Sequence, residues 1–202
     1  MKKIVTVVVI LCVSWFIFSM ITKPKIKNLN NAGSAIVAFG DSLTYGHGAA
    51  QGEDYPSKLA KKVSMPVINL GVSGDKSMDG LARMDAIWEH NPYMVLIEFG
   101  GNDRMQQTSF AQTLSAIEKI VDETQAHGAI AVIVDTGGPF MSQYTKAYKK
   151  MAKEKGAVFV PGILDGIMLD PKLKSDAVHP NAEGYSIVAD RVYKAIEKYL
   201  KY

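Results

Sequence analysis

Residues able to do chemistry gather at the ends of short apolar runs. Ser42 sits in Phe39-Gly40-Asp41-Ser42-Leu43, directly after the run Ala35–Phe39. Gly74 sits in Gly71-Val72-Ser73-Gly74-Asp75, after Val67–Leu70, and Asn102 in Gly100-Gly101-Asn102-Asp103, after Met94–Phe99. A fourth group, Asp176-Ala177-Val178-His179-Pro180, stands near the far end of the chain. An alcohol needs a base before it becomes a nucleophile. A carboxylate on Nδ1 of an imidazole fixes the tautomer and leaves Nε2 to take the proton. Asp176, three residues before His179, reaches the ring if the segment turns. An asparagine amide and unobstructed backbone N–H groups are what a tetrahedral oxyanion needs. Asn102, Gly74 and the N–H of Ser42 itself are the candidate donors.

Each element alone has a plainer reading. Ser42 suits a helix N-cap, and Asn102 suits a turn. Asp176 with His179 could be two metal ligands, but with no other His/Cys cluster in the sequence a zinc site is poorly supplied. His47, His90 and His127 read as structural or solvated. Asp41, Asp75 and Asp103 could suggest a divalent-metal site, and read better as turn residues whose carboxylates hydrogen-bond behind the catalytic groups. Gly46-His47-Gly48 with Gly52 lacks the order of a phosphate-binding loop. The combination of three strand-end groups with a terminal Asp-x-x-His is far more specific than any member.

The elements that must position these residues follow from periodicity. Apolar runs at Ala35–Phe39, Val67–Leu70, Met94–Phe99, Ile130–Val134 and Val158–Val160 predict five short strands. Between them, apolar residues recur at helical spacing: Tyr55, Leu59 and Val63; Leu81, Met84 and Trp88; Phe110, Leu114, Ile117 and Val121; Tyr144, Tyr148 and Met151. Gly128 stops the third of these helices. Pro180 fits the start of a last one, which carries Tyr185, Val188, Val192 and Ile196. Nearly all-apolar strands alternating with helices predict an α/β fold, a parallel sheet covered on both faces. Ligands of such sheets bind beyond the carboxyl ends of the strands, where the four groups lie.

On these residues the sequence resembles the GDSL or SGNH hydrolases. Phe39-Gly40-Asp41-Ser42-Leu43-Thr44 looks like the first family block, and Asn69-Leu70-Gly71-Val72-Ser73-Gly74-Asp75 like the second. Gly100-Gly101-Asn102-Asp103 looks like the third and Asp176-Ala177-Val178-His179-Pro180 like the fifth. The family pattern puts the oxyanion glycine after the serine, which selects Gly74 over Gly71. The resemblance spans roughly residues 35–200. It implies a flavodoxin-like three-layer α/β/α sandwich with a parallel sheet of about five strands. It also implies hydrolysis of esters or thioesters with Ser42, Asp176 and His179 as triad, without cofactor or metal. Ser73-Gly74-Asp75-Lys76-Ser77, Gly80-Leu81-Ala82-Arg83 and Glu98-Phe99-Gly100-Gly101-Asn102-Asp103 are most similar to the bacterial periplasmic thioesterase, lysophospholipase and arylesterase subgroup. The loop Thr136–Thr145 falls where the acyl pocket is expected and does not identify a substrate. The same triad could instead serve an acyltransferase or deacetylase acting on envelope glycans, or be retained in a membrane-tethered binding module.

The 202-residue chain holds one domain's worth of sequence, with 48% apolar and 21% charged residues. Ile4–Ile21 is uncharged, with only Thr6, Ser14 and Ser19 polar. At about 1.5 Å per residue it spans a bilayer's hydrocarbon core. No small-x-small cleavage site follows Phe18, so residues 1–27 are expected to be a retained anchor rather than a cleaved signal peptide, and residues 28–34 a linker to the domain at 35–202. By analogy with the periplasmic subgroup, the domain is expected outside the cytoplasmic membrane. The net charge of +3 belongs to this flank: residues 1–27 hold five lysines and no acid, leaving 18 basic against 20 acidic residues beyond them. Nucleic acid is therefore not an expected partner; a small ester, thioester or lysophospholipid is.

Overall fold

The structure, a computed structural model, describes residues 25–201. The apolar run at 4–21 lies outside the described residues, among which no helix is long and apolar enough to cross a membrane. In chain order the elements are β1 (Ala35–Gly40), α1 (Ser42–Tyr45), α2 (Tyr55–Ala60), β2 (Val67–Gly71), α3 (Ser77–Ala82), α4 (Asp85–Trp88), β3 (Pro92–Glu98), α5 (Gly101–Met105), α6 (Phe110–Ala126), β4 (Ile130–Val134), α7 (Ser142–Lys155), β5 (Val158–Val160) and α8 (Ala182–Ile196), with single 3-10 turns between some of them. All five strands are parallel, in the order β2-β1-β3-β4-β5.

Strand alternation divides the core into two layers. Ile36 and Ala38 of β1, with Met94 and Leu96 of β3, pack under α2 and α8. Val37 and Phe39, with Val95 and Ile97, pack under α6 and α7 on the other face. A sheet sandwiched in this way is the three-layer α/β/α fold expected from the sequence. The chain runs outward from β1 to β2, then returns across β1 to β3. This reversal opens a crevice at the carboxyl ends of β1 and β3.

Three local readings change. The spacing of Leu81, Met84 and Trp88 yields two short helices, α3 and α4, because the chain leaves helical geometry at Arg83 (φ −117°), whose side chain is drawn to the strand ends. The last helix begins at Ala182, not Pro180. Asn181 caps it, its side-chain oxygen accepting from Glu183 N–H at 3.0 Å and Gly184 N–H at 3.1 Å. The segment expected as a linker is not a free connector. Asn28 Nδ2 donates to the carbonyls of Gln125 and Ala129, both at 2.9 Å. Asn31 Nδ2 donates to Tyr93 O at 3.1 Å, and Ile26 and Leu29 pack against the core. Asn28 and Asn31 thus close off carbonyls at the amino ends of β4 and β3.

A chain beginning at Lys25 should therefore be more stable than one beginning at Ser34, by about 2–4 kcal/mol from two or three hydrogen bonds and two half-buried apolar side chains. Urea melts of the two proteins test this, and coincident midpoints would mean that the segment contributes nothing.

Candidate active site

The turn after β1 carries Asp41 and Ser42. Asp41 caps α1, its Oδ1 accepting from Leu43 N–H at 3.0 Å. Ser42 is thus the first residue of a helix that starts at the strand end, with its side chain at the crevice. From the other end of the chain, Asp176-Ala177-Val178-His179 closes on itself. Asp176 Oδ1 accepts the backbone N–H of Val178 at 2.8 Å and of His179 at 2.9 Å, which leaves Oδ2 at 2.8 Å from His179 Nδ1. With Nδ1–H donating to that carboxylate, His179 Nε2 accepts from Ser42 O–H at 3.0 Å, across 137 residues of sequence. The backbone N–H of Val178 first, and the imidazole second, hold the Asp176 pKa down at about 2.

The structure brings the other candidates to the same crevice by different means. Asn102, in the first turn of α5, is buried beside Ser42. Both its amide hydrogens are engaged, one with Asp75 O at 2.9 Å and one more loosely with Asp41 Oδ2 at 3.2 Å. Gly74 is exposed, with φ +91°, and its N–H has no acceptor among the described residues. Asp103 is fully buried and ties three helices together. It accepts Ser77 N–H (2.9 Å), Ser77 O–H (2.6 Å) and Thr113 O–H (3.1 Å). Asp75 accepts Arg83 Nε–H at 2.7 Å. The same guanidinium donates to Leu70 O at 2.9 Å and Gly40 O at 3.0 Å, and stacks over Phe39 at 4.3 Å. Arg83 therefore clasps the ends of β1 and β2 to the Gly74 loop.

Glu98, quoted in the sequence only as part of a family block, has a role of its own. It ends β3 fully buried. Its Oε2 accepts Thr44 O–H at 3.1 Å, while Oε1 has no hydrogen-bond partner among the described residues. A bare carboxylate there would be costly. Burial, and then the charge of Asp41, push its pKa well above the ordinary carboxylate range, which favours the neutral acid. Burial also pushes Asp41 up, to about 6, against the Leu43 N–H that favours its charge. A single charged residue closing the otherwise apolar run Tyr93–Ile97 was the available signal.

A cavity of about 850 Å³ opens beside Ser42 and His179. Its lining includes Leu43, Met105, Met141, Leu164 and Met168. The Thr136–Thr145 loop forms one wall, as expected for this region.

A nucleophile–base–carboxylate chain at the carboxyl edge of a doubly wound sheet, facing an apolar cavity, defines a serine-dependent acyl hydrolase. The GDSL-like Lipase/Acylhydrolase family matches residues 38–187, and the chain belongs to it. It is 29% identical over 176 residues to the thioesterase 1/protease 1/lysophospholipase L1 of Escherichia coli strain K12, covering 82% of this chain and 85% of that protein. It is 26% identical over 184 residues to an arylesterase of Vibrio mimicus, covering 85% and 92%. The crystal structure of TesA superposes with a TM-score of 0.77 at 24% identity, over 82% of this chain and 99% of that one, and shares the fold.

The raised pKa of Glu98 has a measurable consequence. A carboxyl whose folded pKa is raised contributes its full stability below its unfolded value and loses it as pH rises through the folded one, because the unfolded chain releases the proton first. Wild-type stability should fall as pH rises above about 4 through the folded pKa of Glu98. Glu98→Gln, which carries no proton to lose, should gain at least about 3 °C in Tm relative to wild type between pH 5 and pH 8. Parallel Tm profiles would mean that Glu98 is charged in the fold.

Proposed function

We propose that the chain hydrolyses carboxylic esters or thioesters with an apolar acyl chain, lysophospholipids among them, through an acyl-enzyme on Ser42. The observation that carries this reading is the unbroken chain from Ser42 Oγ to His179 Nε2 (3.0 Å) and from Nδ1 to Asp176 Oδ2 (2.8 Å) at the mouth of an apolar cavity. His179 takes the serine proton as Oγ attacks the carbonyl carbon, and Asp176 stabilises the imidazolium. The tetrahedral oxyanion receives the N–H of Ser42, the free N–H of Gly74 and Asn102 Nδ2. For this the Asn102 amide gives up its longer bond, to Asp41, and keeps the one to Asp75 O. His179 returns the proton to the leaving alcohol or thiol. It then activates water to release the acid.

The apolar cavity favours an acyl chain over a glycan acceptor, and so hydrolysis over envelope acyl transfer or deacetylation. Phe140 and Leu169, more than three-quarters exposed beside the cavity, suit a substrate with a long hydrocarbon tail. The relatives named for thioesterase, lysophospholipase and arylesterase activity support the same substrate range.

Ser42→Ala should lower kcat on p-nitrophenyl esters by at least about 10⁴-fold with the fold intact. Asn102→Ala should lower it about 10²–10³-fold with a smaller change in KM, because its donation strengthens in the transition state. A Ser42→Ala protein keeping a tenth of wild-type kcat overturns the assignment, and an Asn102→Ala effect confined to KM moves that residue to substrate binding.

We also infer that residues 4–21 anchor the chain in a membrane with the catalytic domain on the periplasmic or extracellular side. The support is an uncharged 18-residue run flanked by lysines. With residues 25–33 packed on the domain, little chain remains to hold the fold away from the bilayer. The full chain should sediment with membranes, while a chain beginning at Lys25 should be soluble and equally active on a short water-soluble ester. A mature protein beginning after residue 21 would show a cleaved signal peptide instead, and a domain protected from protease in intact spheroplasts would reverse the orientation.

A further inference from the structure

His47 has no part in the chemistry above, yet it is held against the triad. Its N–H donates to Ser42 O at 2.9 Å, and its C=O accepts from Tyr185 O–H at 2.8 Å. Gly46 and Gly48 flank it with φ of +93° and +89°. At Gly48 a side chain would run into Ser175 and the carbonyl of Pro180, so the loop lies directly on the turn that carries Asp176 and His179. The two imidazole rings sit 4.3 Å apart, tilted by 44°, and His47 Nε2 is 3.9 Å from Asp176 Oδ2. One ligand atom from each of His47, Asp176 and His179 lies within 4.8 Å of the other two.

We propose that His47, Asp176 and His179 form an inhibitory site for a divalent transition-metal ion of the zinc type, with His47 as the ligand that makes capture possible. Two imidazoles and a carboxylate, with water in the fourth position, are an ordinary zinc donor set. Tetrahedral ligands about 2.0–2.1 Å from zinc stand about 3.3 Å from one another. Two of the three pairs, at 2.8 and 3.9 Å, bracket that spacing and the third lies within 4.8 Å, so side-chain rotations complete the site. The side chains of His47 and Asp176 are 51% and 44% exposed, so an ion reaches them directly from solvent.

The consequence for catalysis follows from proton placement and rests on the triad reading above. The metal takes the lone pair of His179 Nδ1. The ring's one proton then moves from Nδ1 to Nε2, with the number of protons on the ring unchanged. Nε2–H faces Ser42 as a donor and cannot accept the serine proton. Asp176, now a metal ligand, no longer supports an imidazolium. The site leaves little sign in the sequence, because with Asp176 and His179 alone a zinc site is short of ligands. The αL turns at Gly46 and Gly48 bring in the third ligand.

The test uses the purified full chain, zinc chloride and EDTA, with calorimetry for binding and p-nitrophenyl acetate for activity. Wild type should bind one equivalent of zinc, lose at least tenfold in rate when saturated, and recover with EDTA. His47→Ala and His47→Gln should keep the metal-free rate within about threefold, and need at least about tenfold more zinc for half-inhibition. Ser42→Ala should keep the wild-type zinc isotherm, since Ser42 is not a ligand. Full wild-type activity at millimolar zinc, or equal zinc sensitivity in both His47 variants, overturns the proposal. A Ser42→Ala protein that stays active would instead overturn the triad reading, and the isotherm would still judge the metal site.

Discussion

Parallel pairing of β1 with β3, with Gly40 opposite Glu98, is the constraint on which the site depends. It brings the turn that carries Ser42 to the same height as the turn that carries Asn102. The approach is possible only because Gly40 has no side chain: a Cβ there would meet Thr44 Oγ1 and the Glu98 carbonyl. The space it leaves is filled by a hydrogen-bonded column in which Tyr55 O–H donates to Thr44 Oγ1 and Thr44 donates to Glu98 Oε2. Arg83 satisfies Gly40 O from outside the sheet. The nucleophile thus inherits its position from a fully buried strand rather than from a loop.

That column also sorts the carboxyl groups by function. Asp176 must stay ionised to support an imidazolium, and two backbone N–H groups at an exposed turn keep it so. Asp41 and Glu98 lie beneath the nucleophile, where two negative charges would oppose a developing oxyanion. Burial raises both pKa values, that of Glu98 the more strongly, and so disfavours a second negative charge beneath the nucleophile. The same side-chain chemistry therefore does opposite work a few ångströms apart, and the difference lies in hydration and N–H donors.

What could be read in the sequence had a short-range cause. The five strands were visible as apolar runs, and β4 and β5 begin and end where the runs do. Asp176 and His179 were legible together because their geometry closes within one turn. The Asn28 and Asn31 contacts were not legible, since an asparagine that caps a distant carbonyl looks the same in sequence as one in a linker. Arg83 was invisible as an organiser for a similar reason: two of its three acceptors are main-chain carbonyls more than ten residues away. His47 read as structural or solvated because nothing local shows that two glycine turns fold its loop onto the residues around His179.

Catalysis and selectivity are encoded differently in this fold. The catalytic groups obey distances near 3 Å fixed by main-chain turns, and such turns leave a repeated sequence mark. Beyond the segments that carry Ser42 and His179, the cavity wall includes three stretches far apart in the chain, around Met105, Met141 and Met168. Flexible thioether side chains tolerate substitution and repacking. A wall built of them can be reshaped for another acyl chain without disturbing the strand ends beneath Ser42. The motif residues consequently identify the reaction, while the methionines of the cavity wall lie outside those motifs.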